Sequence, residues 1–416
     1  MHHFEYRDGV LSCEQVSLAK IADEVGTPFY CYSSATFLQH LEAYKKAFSG
    51  VDSIICYSVK CNGNLAVLNT LSKAGAGADI VSGGELFRAL KAGVQPGKIV
   101  YSGVGKTPEE IRYALEVGIL MFNVESPIEM ITLNRIAGEV GVKAPVAIRV
   151  NPDVDPRTHA YISTGMKKNK FGIAIERALV EYRAASEMGN IEAIGVDCHI
   201  GSQITELEPF ADALVKVKRL IRTLREEGQD IKYLDIGGGL GISYDDEVPP
   251  TPMEYGEAIL GVVGDLGCTL ILEPGRSIAG NAGVLVGKVL YTKEGEEKRF
   301  LISDTGMNDI VRPSLYDAFH GILPVIEGGD LRLADLVGPI CESGDFIAKD
   351  RVLPALEQGE LFAVMSSGGY GFTMSSNYNA RPRVAEVMVS GDKYRVVRRR
   401  ESYEDLISGE IIPEDI

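Results

Sequence analysis

From about residue 50 to 275 short apolar runs alternate with helical patterns. The runs are SIICYSVK (53–60), GADIVSG (77–83), KIVYSGVG (98–105), ILMFNVES (119–126), APVAIRVNP (144–152), EAIGVDCHIGS (192–202), KYLDIGGG (232–239) and CTLILEPGR (268–276). They are rich in β-branched residues, do not alternate strictly, and mostly end in Gly, Ser, Asn or Lys. Continuous apolar runs are what parallel strands buried on both faces require. Between them lie amphipathic stretches such as GGELFRALKAG (83–93) and TPEEIRYALEVG (107–118). The second opens as a capped helix, with Thr107, Pro108 and two glutamates in its first turn. About eight βα units in about 230 residues is the size of a (β/α)8 barrel. An open doubly wound sheet is the competing layout, but it usually has fewer strands and a Gly-rich turn after the first, whereas here that turn follows the seventh. The pattern predicts a TIM-type barrel over residues 28–282.

One connection breaks the rhythm. After VNPD (150–153) comes DPRTHAYISTGMKKNKFGI (155–173), too long for an ordinary βα loop. It leaves the C-terminal end of a strand, where barrel active sites lie, so a mobile lid is expected. Past residue 282 the texture changes to VLVGKVLYTKE, KRFLISDTG, LFAVMSSGGYG and PRVAEVMVSGDKYRVVRRR, which read as strands separated by turns. A mostly β second domain is expected over 283–416, with residues 1–27 packing on it. The fold class is α/β plus β.

Composition narrows the function classes. A chain of 416 residues has room for two domains, and 45% hydrophobic with 24% charged residues is ordinary for a globular protein. No apolar run approaches the ~18 residues of a membrane span, and MHHFEYRDG has no basic segment followed by an apolar one, so no signal peptide is expected. A net charge of −16 without a Lys/Arg block argues against nucleic acid or an anionic membrane surface. Seven scattered cysteines with no CxxC pair argue against a disulfide framework or a structural zinc and fit a reducing cytoplasm. Cys13, Cys31, Cys56 and Cys268 read as small hydrophobes.

Reactive groups collect at the strand ends. The first strand ends Tyr57-Ser58-Val59-Lys60. A lysine continuing an apolar run is costly to keep charged, which suits a Schiff-base amine; taken alone it reads more readily as a strand-end lysine that snorkels to water. His199 to Ser202 ends the sixth strand, and the seventh runs into Gly237-Gly238-Gly239, whose amides could close on an anion at the usual phosphate site of a barrel. The eighth ends Glu273-Pro274-Gly275-Arg276. Gly275 and Arg276 suit a phosphate or a carboxylate, while Glu273 and Arg276 also read as a structural ion pair. An imine-forming lysine, a glycine phosphate loop, a carboxylate for a ring nitrogen and an aromatic to cover the ring are together the needs of pyridoxal phosphate.

On these residues the chain resembles the barrel-type (fold type III) pyridoxal-phosphate amino-acid decarboxylases, the alanine racemase-like and ornithine decarboxylase-like group, and within them the branch acting on meso-diaminopimelate. The matching stretches run from GTPFYCYS (26–33) through YSVKCN (57–62), HIGSQ (199–203), DIGGG (235–239), EPGR (273–276), RPSLYDAFH (312–320), GPICESGD (338–345) and SSGGYGF (366–372) to NYNARPR (377–383). THAYISTG (158–165) resembles the family's lid. The family's usual alanine is here a glycine in GGY.

The resemblance implies that Lys60 bonds the cofactor, Glu273 pairs with its ring nitrogen and His199 stacks on the ring. Ser202, Gly237, Gly238, Gly239, Gly275 and Arg276 would hold the phosphate region, with Tyr370 completing the cofactor site. Arg276, Arg312 and Tyr316 would take the substrate's distal carboxylate, Glu342 its distal ammonium, and Cys341 would donate the proton. It further implies a homodimer whose active sites are shared between subunits, and no metal. Decarboxylases for ornithine, arginine or carboxynorspermidine are the nearest alternatives, and Arg312 with Tyr316 weighs against all three. In a racemase, an arginine would replace Glu273 at the ring nitrogen. A non-catalytic pyridoxal-phosphate-binding protein would not need Cys341.

Overall fold

The computed structural model describes residues 2–155, 170–296 and 298–414. Most of the expected lid, including all of THAYISTG, lies outside the described residues. The chain divides into two compact units, one formed by residues 38–243 and 247–278, the other by 1–37, 244–246 and 279–416.

Among the described residues of the first unit, eight parallel strands close into a barrel: β1 (Ser53–Ser58), β2 (Gly77–Ile80), β3 (Ile99–Tyr101), β4 (Met121–Val124), β5 (Ala144–Asn151), β6 (Ile191–Asp197), β7 (Tyr233–Asp235) and β8 (Thr269–Leu272). They pair in chain order, and β8 pairs back onto β1, so no edge remains. Each coincides with one of the eight apolar runs. Several of the intervening helices start where a short polar side chain can accept an amide. Ser82, Thr107, Ser126 and Thr251 cap Gly83–Lys91, Pro108–Val117, Pro127–Val140 and Pro252–Val263, with full capping boxes at Thr107 and Thr251.

Period two along each strand sorts the barrel interior into layers. Cys56, Val100, Met121, Ala147 and Ile271 pack together as an apolar layer. Two residues further on, the same strands deliver Ser58, Ser102, Asn123, Arg149 and Glu273, and every one of these is buried. The interior therefore changes from apolar to polar toward the C-terminal ends of the strands.

The second unit is β-rich. Among the described residues, a sheet of nine strands has at its centre the long strand Gly283–Glu294. Its first half meets Phe29–Ser33 and Leu361–Val364, and its second half meets Arg299–Ser303. Phe29–Ser33 also pairs in parallel with Ala385–Ser390, which places this N-terminal strand in the β-rich unit. By contacts the division thus falls at 37/38 instead of 27/28. A small sheet (Phe4–Arg7, Val10–Cys13, Val16–Ser17) and the helix Leu18–Val25 bring Leu11, Cys13, Leu18 and Ile21 against Phe29, Cys31, Val284 and Val387. Cys13, Cys31, Cys56 and Cys268 are buried, and burial raises the pKa of the thiols of Cys13, Cys56 and Cys268.

Candidate active site

The polar layer is built from several hydrogen-bonded and ion-paired groups. Lys60 lies in the single 3-10 turn Val59–Cys61 that follows β1, and its Nζ is 2.7 Å from Asp79 Oδ2. Ser58 Oγ donates to the same oxygen at 2.5 Å. The Lys60 side chain is 41% exposed and Asp79 wholly buried. The run YSVK predicts an apolar surrounding for this lysine; the structure instead lifts it out of the strand and sets it beside a carboxylate, so its amine is accessible and paired.

At the other side of the interior, Glu273 Oε1 accepts from Ser102 Oγ at 3.0 Å and from Asn123 Nδ2 at 3.3 Å. Asn123 Nδ2 also donates to Asp235 Oδ2 at 3.0 Å. Arg149 is buried against Glu125, with Nη1 3.0 Å from Oε1, and its Nε is 3.9 Å from Asp197 Oδ2. Burial, followed by Asp235, Asp79 and Asp197, pushes the Glu273 carboxyl well up. Burial likewise raises Asp235, to about 6. Burial with the nearby Arg149 and Lys60 charges holds His199 well below its ordinary range, so its ring is neutral.

Two amides of the glycine run are engaged within the protein. Gly237 donates its N–H to Asp235 Oδ1 at 2.9 Å, and Gly238 donates to His199 Nδ1 at 3.2 Å. Those two amides serve the protein. The glycines are required because strand ends crowd here: a Cβ on Gly238 would lie 2.3 Å from the Glu273 carbonyl oxygen, and one on Gly239 (φ +119°) 2.6 Å from that of Gly201. Across that gap Arg276 Nη2 reaches Ser202 Oγ at 3.2 Å.

In the β-rich unit, Arg312 opens the short helix Arg312–Tyr316, so Arg312 and Tyr316 are one turn apart on one face. Cys341 and Glu342 are exposed. Asn379 Oδ1 accepts the Cys341 N–H at 2.7 Å, and Tyr378 Oη lies 3.4 Å from Glu342 Oε2. Tyr370 is half-buried at φ +56°.

The barrel's own groups can hold pyridoxal phosphate. Asp79, Asn123 and Asp197 each keep a buried oxygen without a hydrogen-bond partner, so the interior is rich in acceptors and would be offset by a protonated ring nitrogen beside Glu273. The Lys60 amine and Glu273 stand on the adjoining strand ends of β1 and β8, and the Ser202–Arg276 pair with the glycine gap lies at the ends of β6 to β8.

Sequence reasoning missed Asp79, Ser102, Asn123, Glu125, Arg149, Asp197 and Asp235. Their signal was present, since each is a polar residue in or just after an otherwise apolar strand run.

Comparison with known proteins agrees. Residues 12–280 match the family model described as pyridoxal-dependent decarboxylase, pyridoxal binding domain, which gives the class. The chain is 53% identical to the diaminopimelate decarboxylase of Vibrio cholerae over 420 residues, covering 100% of both, and 51% identical to that of Aquifex aeolicus, covering 97% of this chain and 96% of the relative. Among solved structures, the Helicobacter pylori diaminopimelate decarboxylase complexed with L-lysine superposes with a TM-score of 0.91 at 45% identity, over 94% of this chain and 98% of that one. The M. jannaschii diaminopimelate decarboxylase in co-complex with L-lysine gives 0.94 at 40%, over 99% and 98%. The chain belongs to the diaminopimelate decarboxylases, and its cofactor is pyridoxal phosphate.

Proposed function

We propose that the chain converts meso-2,6-diaminopimelate to L-lysine and carbon dioxide, the last step of lysine biosynthesis, in the cytoplasm. The observation that carries this reading is the Lys60 and Glu273 pair on adjoining strand ends, in a chain that is 53% identical along its full length to a diaminopimelate decarboxylase. Bound pyridoxal phosphate supplies an electron sink for the pair of electrons left when the carboxylate departs.

The residues divide the remaining work. Lys60 would provide the amine that holds the cofactor's aldehyde, and Glu273 would keep a proton at the ring nitrogen. His199, neutral, would stack on the ring of the bound cofactor without adding charge. Ser202, Gly237, Gly238, Gly239, Gly275 and Arg276 border the phosphate, and Tyr370 closes the cofactor site. Arg276, Arg312 and Tyr316 hold the distal carboxylate, for which the planar guanidinium fork is suited. Glu342 takes the distal ammonium. Cys341 delivers a proton from Sγ to the carbon that has lost carbon dioxide.

The working form is a two-fold homodimer in which Cys341, Glu342 and Tyr370 serve the partner's barrel, since a symmetric contact creates two equivalent sites. Exposure of Cys341 and Glu342 on their own unit is compatible with that use.

Incubation with meso-diaminopimelate should release equal amounts of lysine and carbon dioxide, and Lys60→Ala should release neither. Absence of lysine from the wild-type reaction refutes the substrate. Mixing Lys60→Ala with Cys341→Ala subunits should restore part of the activity; if none returns, the shared site is wrong.

A further inference from the structure

The histidine that ends RPSLYDAFH has no part in the scheme above, yet it is wholly buried beside Arg312. Its Nδ1 lies 2.8 Å from the Met365 carbonyl oxygen, and its Nε2 lies 3.3 Å from Arg312 Nε. A carbonyl can only accept and a guanidinium N–H can only donate. The two contacts together fix one protonation state, with hydrogen on Nδ1 and a lone pair on Nε2. A protonated ring would lose the Arg312 bond and place two cations in contact.

His320 is held by further contacts to its backbone and its ring. The His320 carbonyl accepts from Arg351 Nη1 at 2.7 Å, and Tyr244 packs against the ring edge-on with centroids 5.4 Å apart. Tyr244 belongs to the three-residue piece 244–246 that groups with the β-rich unit. The same tyrosine lies under Arg312, its ring centroid 4.9 Å from the guanidinium carbon. Arg312 is thus gripped on its Nε edge by an imidazole and on one face by an aromatic ring. With Nε committed to His320, the Nη1/Nη2 edge is the one that would meet a carboxylate.

We propose that His320 is a positioning residue for substrate specificity: as a neutral acceptor it fixes the rotation of Arg312, with Tyr244 beneath, so that the guanidinium meets the distal carboxylate. This rests on the reading that Arg312 holds that carboxylate.

The test uses holoenzyme and two product-like inhibitors. L-Lysine retains the distal carboxylate, and cadaverine lacks it. His320→Met keeps the bulk of the ring but offers no nitrogen or oxygen acceptor, whereas His320→Gln restores an acceptor at nearly the same reach. His320→Met should raise KM for meso-diaminopimelate and the inhibition constant of L-lysine about tenfold, as expected for loss of a hydrogen bond to a charged group. It should leave kcat within about threefold and the cadaverine constant unchanged. His320→Gln should recover most of the loss. His320→Asn, which can still donate to Met365 but is too short to reach Arg312, should behave like Met and decides the matter if the Met variant does not fold.

Equal weakening of L-lysine and cadaverine, or identical behaviour of the Gln and Met variants, overturns the proposal. Arg312→Ala separates the two levels. If it weakens L-lysine while His320→Met and His320→Asn do not, the substrate reading stands and the role of His320 falls. If Arg312→Ala leaves L-lysine binding intact, both fall.

Discussion

Asn123 reaches across the barrel interior to Glu273, its amide nitrogen 3.3 Å from Oε1, while the same nitrogen sits 3.0 Å from Asp235 Oδ2. Burial and three neighbouring carboxylates favour the protonated form of Glu273, whereas hydrogen bonds to a carboxylate favour the ionised one. The amide and the Ser102 hydroxyl therefore keep Glu273 able to give up its proton. Asn123→Leu removes the amide and fills the space. The acid limb of the kcat profile should move to higher pH and kcat at neutral pH should fall by about tenfold to a hundredfold, the worth of one or two hydrogen bonds to a charged group. An unshifted pH profile in folded, cofactor-loaded protein counts against the argument.

Gly238 is confined by backbone, not by a side chain that could move. A Cβ there would sit 2.3 Å from the Glu273 carbonyl oxygen. Gly238→Ala must separate the ends of β7 and β8, which are joined by the Glu273 N–H donating to Gly237 O at 2.7 Å. Overpacking of this kind costs about 1–3 kcal/mol. The melting temperature should drop, and cofactor affinity should drop with it because Glu273 is displaced. Titration with pyridoxal phosphate and a thermal melt check both.

The barrel was legible because strands buried on both faces must be continuously apolar and the helices between them must be amphipathic. Lys60, His199, Glu273 and Arg276 were legible because a barrel's chemistry lies just past its strand ends. Asp79, Asn123, Arg149 and Asp235 were not, although a charged or amide residue inside an apolar run is visible by eye. A single such residue says nothing of its partner; only closure of the barrel shows that Asn123 on β4 faces Asp235 on β7 and Glu273 after β8. For the same reason YSVK could not show that Lys60 leaves the strand to meet Asp79, a residue of a different run. Pairing across 68 residues hid the Tyr244–Arg312 contact entirely.

The CESGD loop is held from within its own unit. Asp345 is buried, and its carboxylate accepts the Met307 and Ile340 N–H groups at 2.6 Å each. Asn379, at φ +55°, fixes the Cys341 N–H. Asp345→Ala leaves two inward amides without acceptors and should destabilise the unit by about 1–3 kcal/mol. Asn379→Ala removes one exposed bond of roughly 1 kcal/mol, so the protein should fold normally while kcat falls about fivefold and cofactor absorbance is retained. Equal effects of the two variants on the melting temperature would contradict this division.

Glu85 is a half-buried carboxylate in the first turn of the helix Gly83–Lys91, accepting the Val81 N–H at 2.8 Å. Burial raises its pKa from 4.5 to about 7, against the opposing pull of the Val81 amide and Lys60. Between those two values the folded protein keeps a proton that the unfolded chain has lost, so stability falls as pH rises through this window. The contribution is complete below the lower value and gone above the upper one. Glu85→Gln keeps an oxygen for Val81 and cannot ionise. The stability difference, wild type minus variant, should therefore decline by up to about 3 kcal/mol between pH 4.5 and pH 8. Denaturant midpoints of both holoenzymes at four pH values measure it, and a difference that stays flat with pH would show that Glu85 titrates alike in the folded and unfolded states.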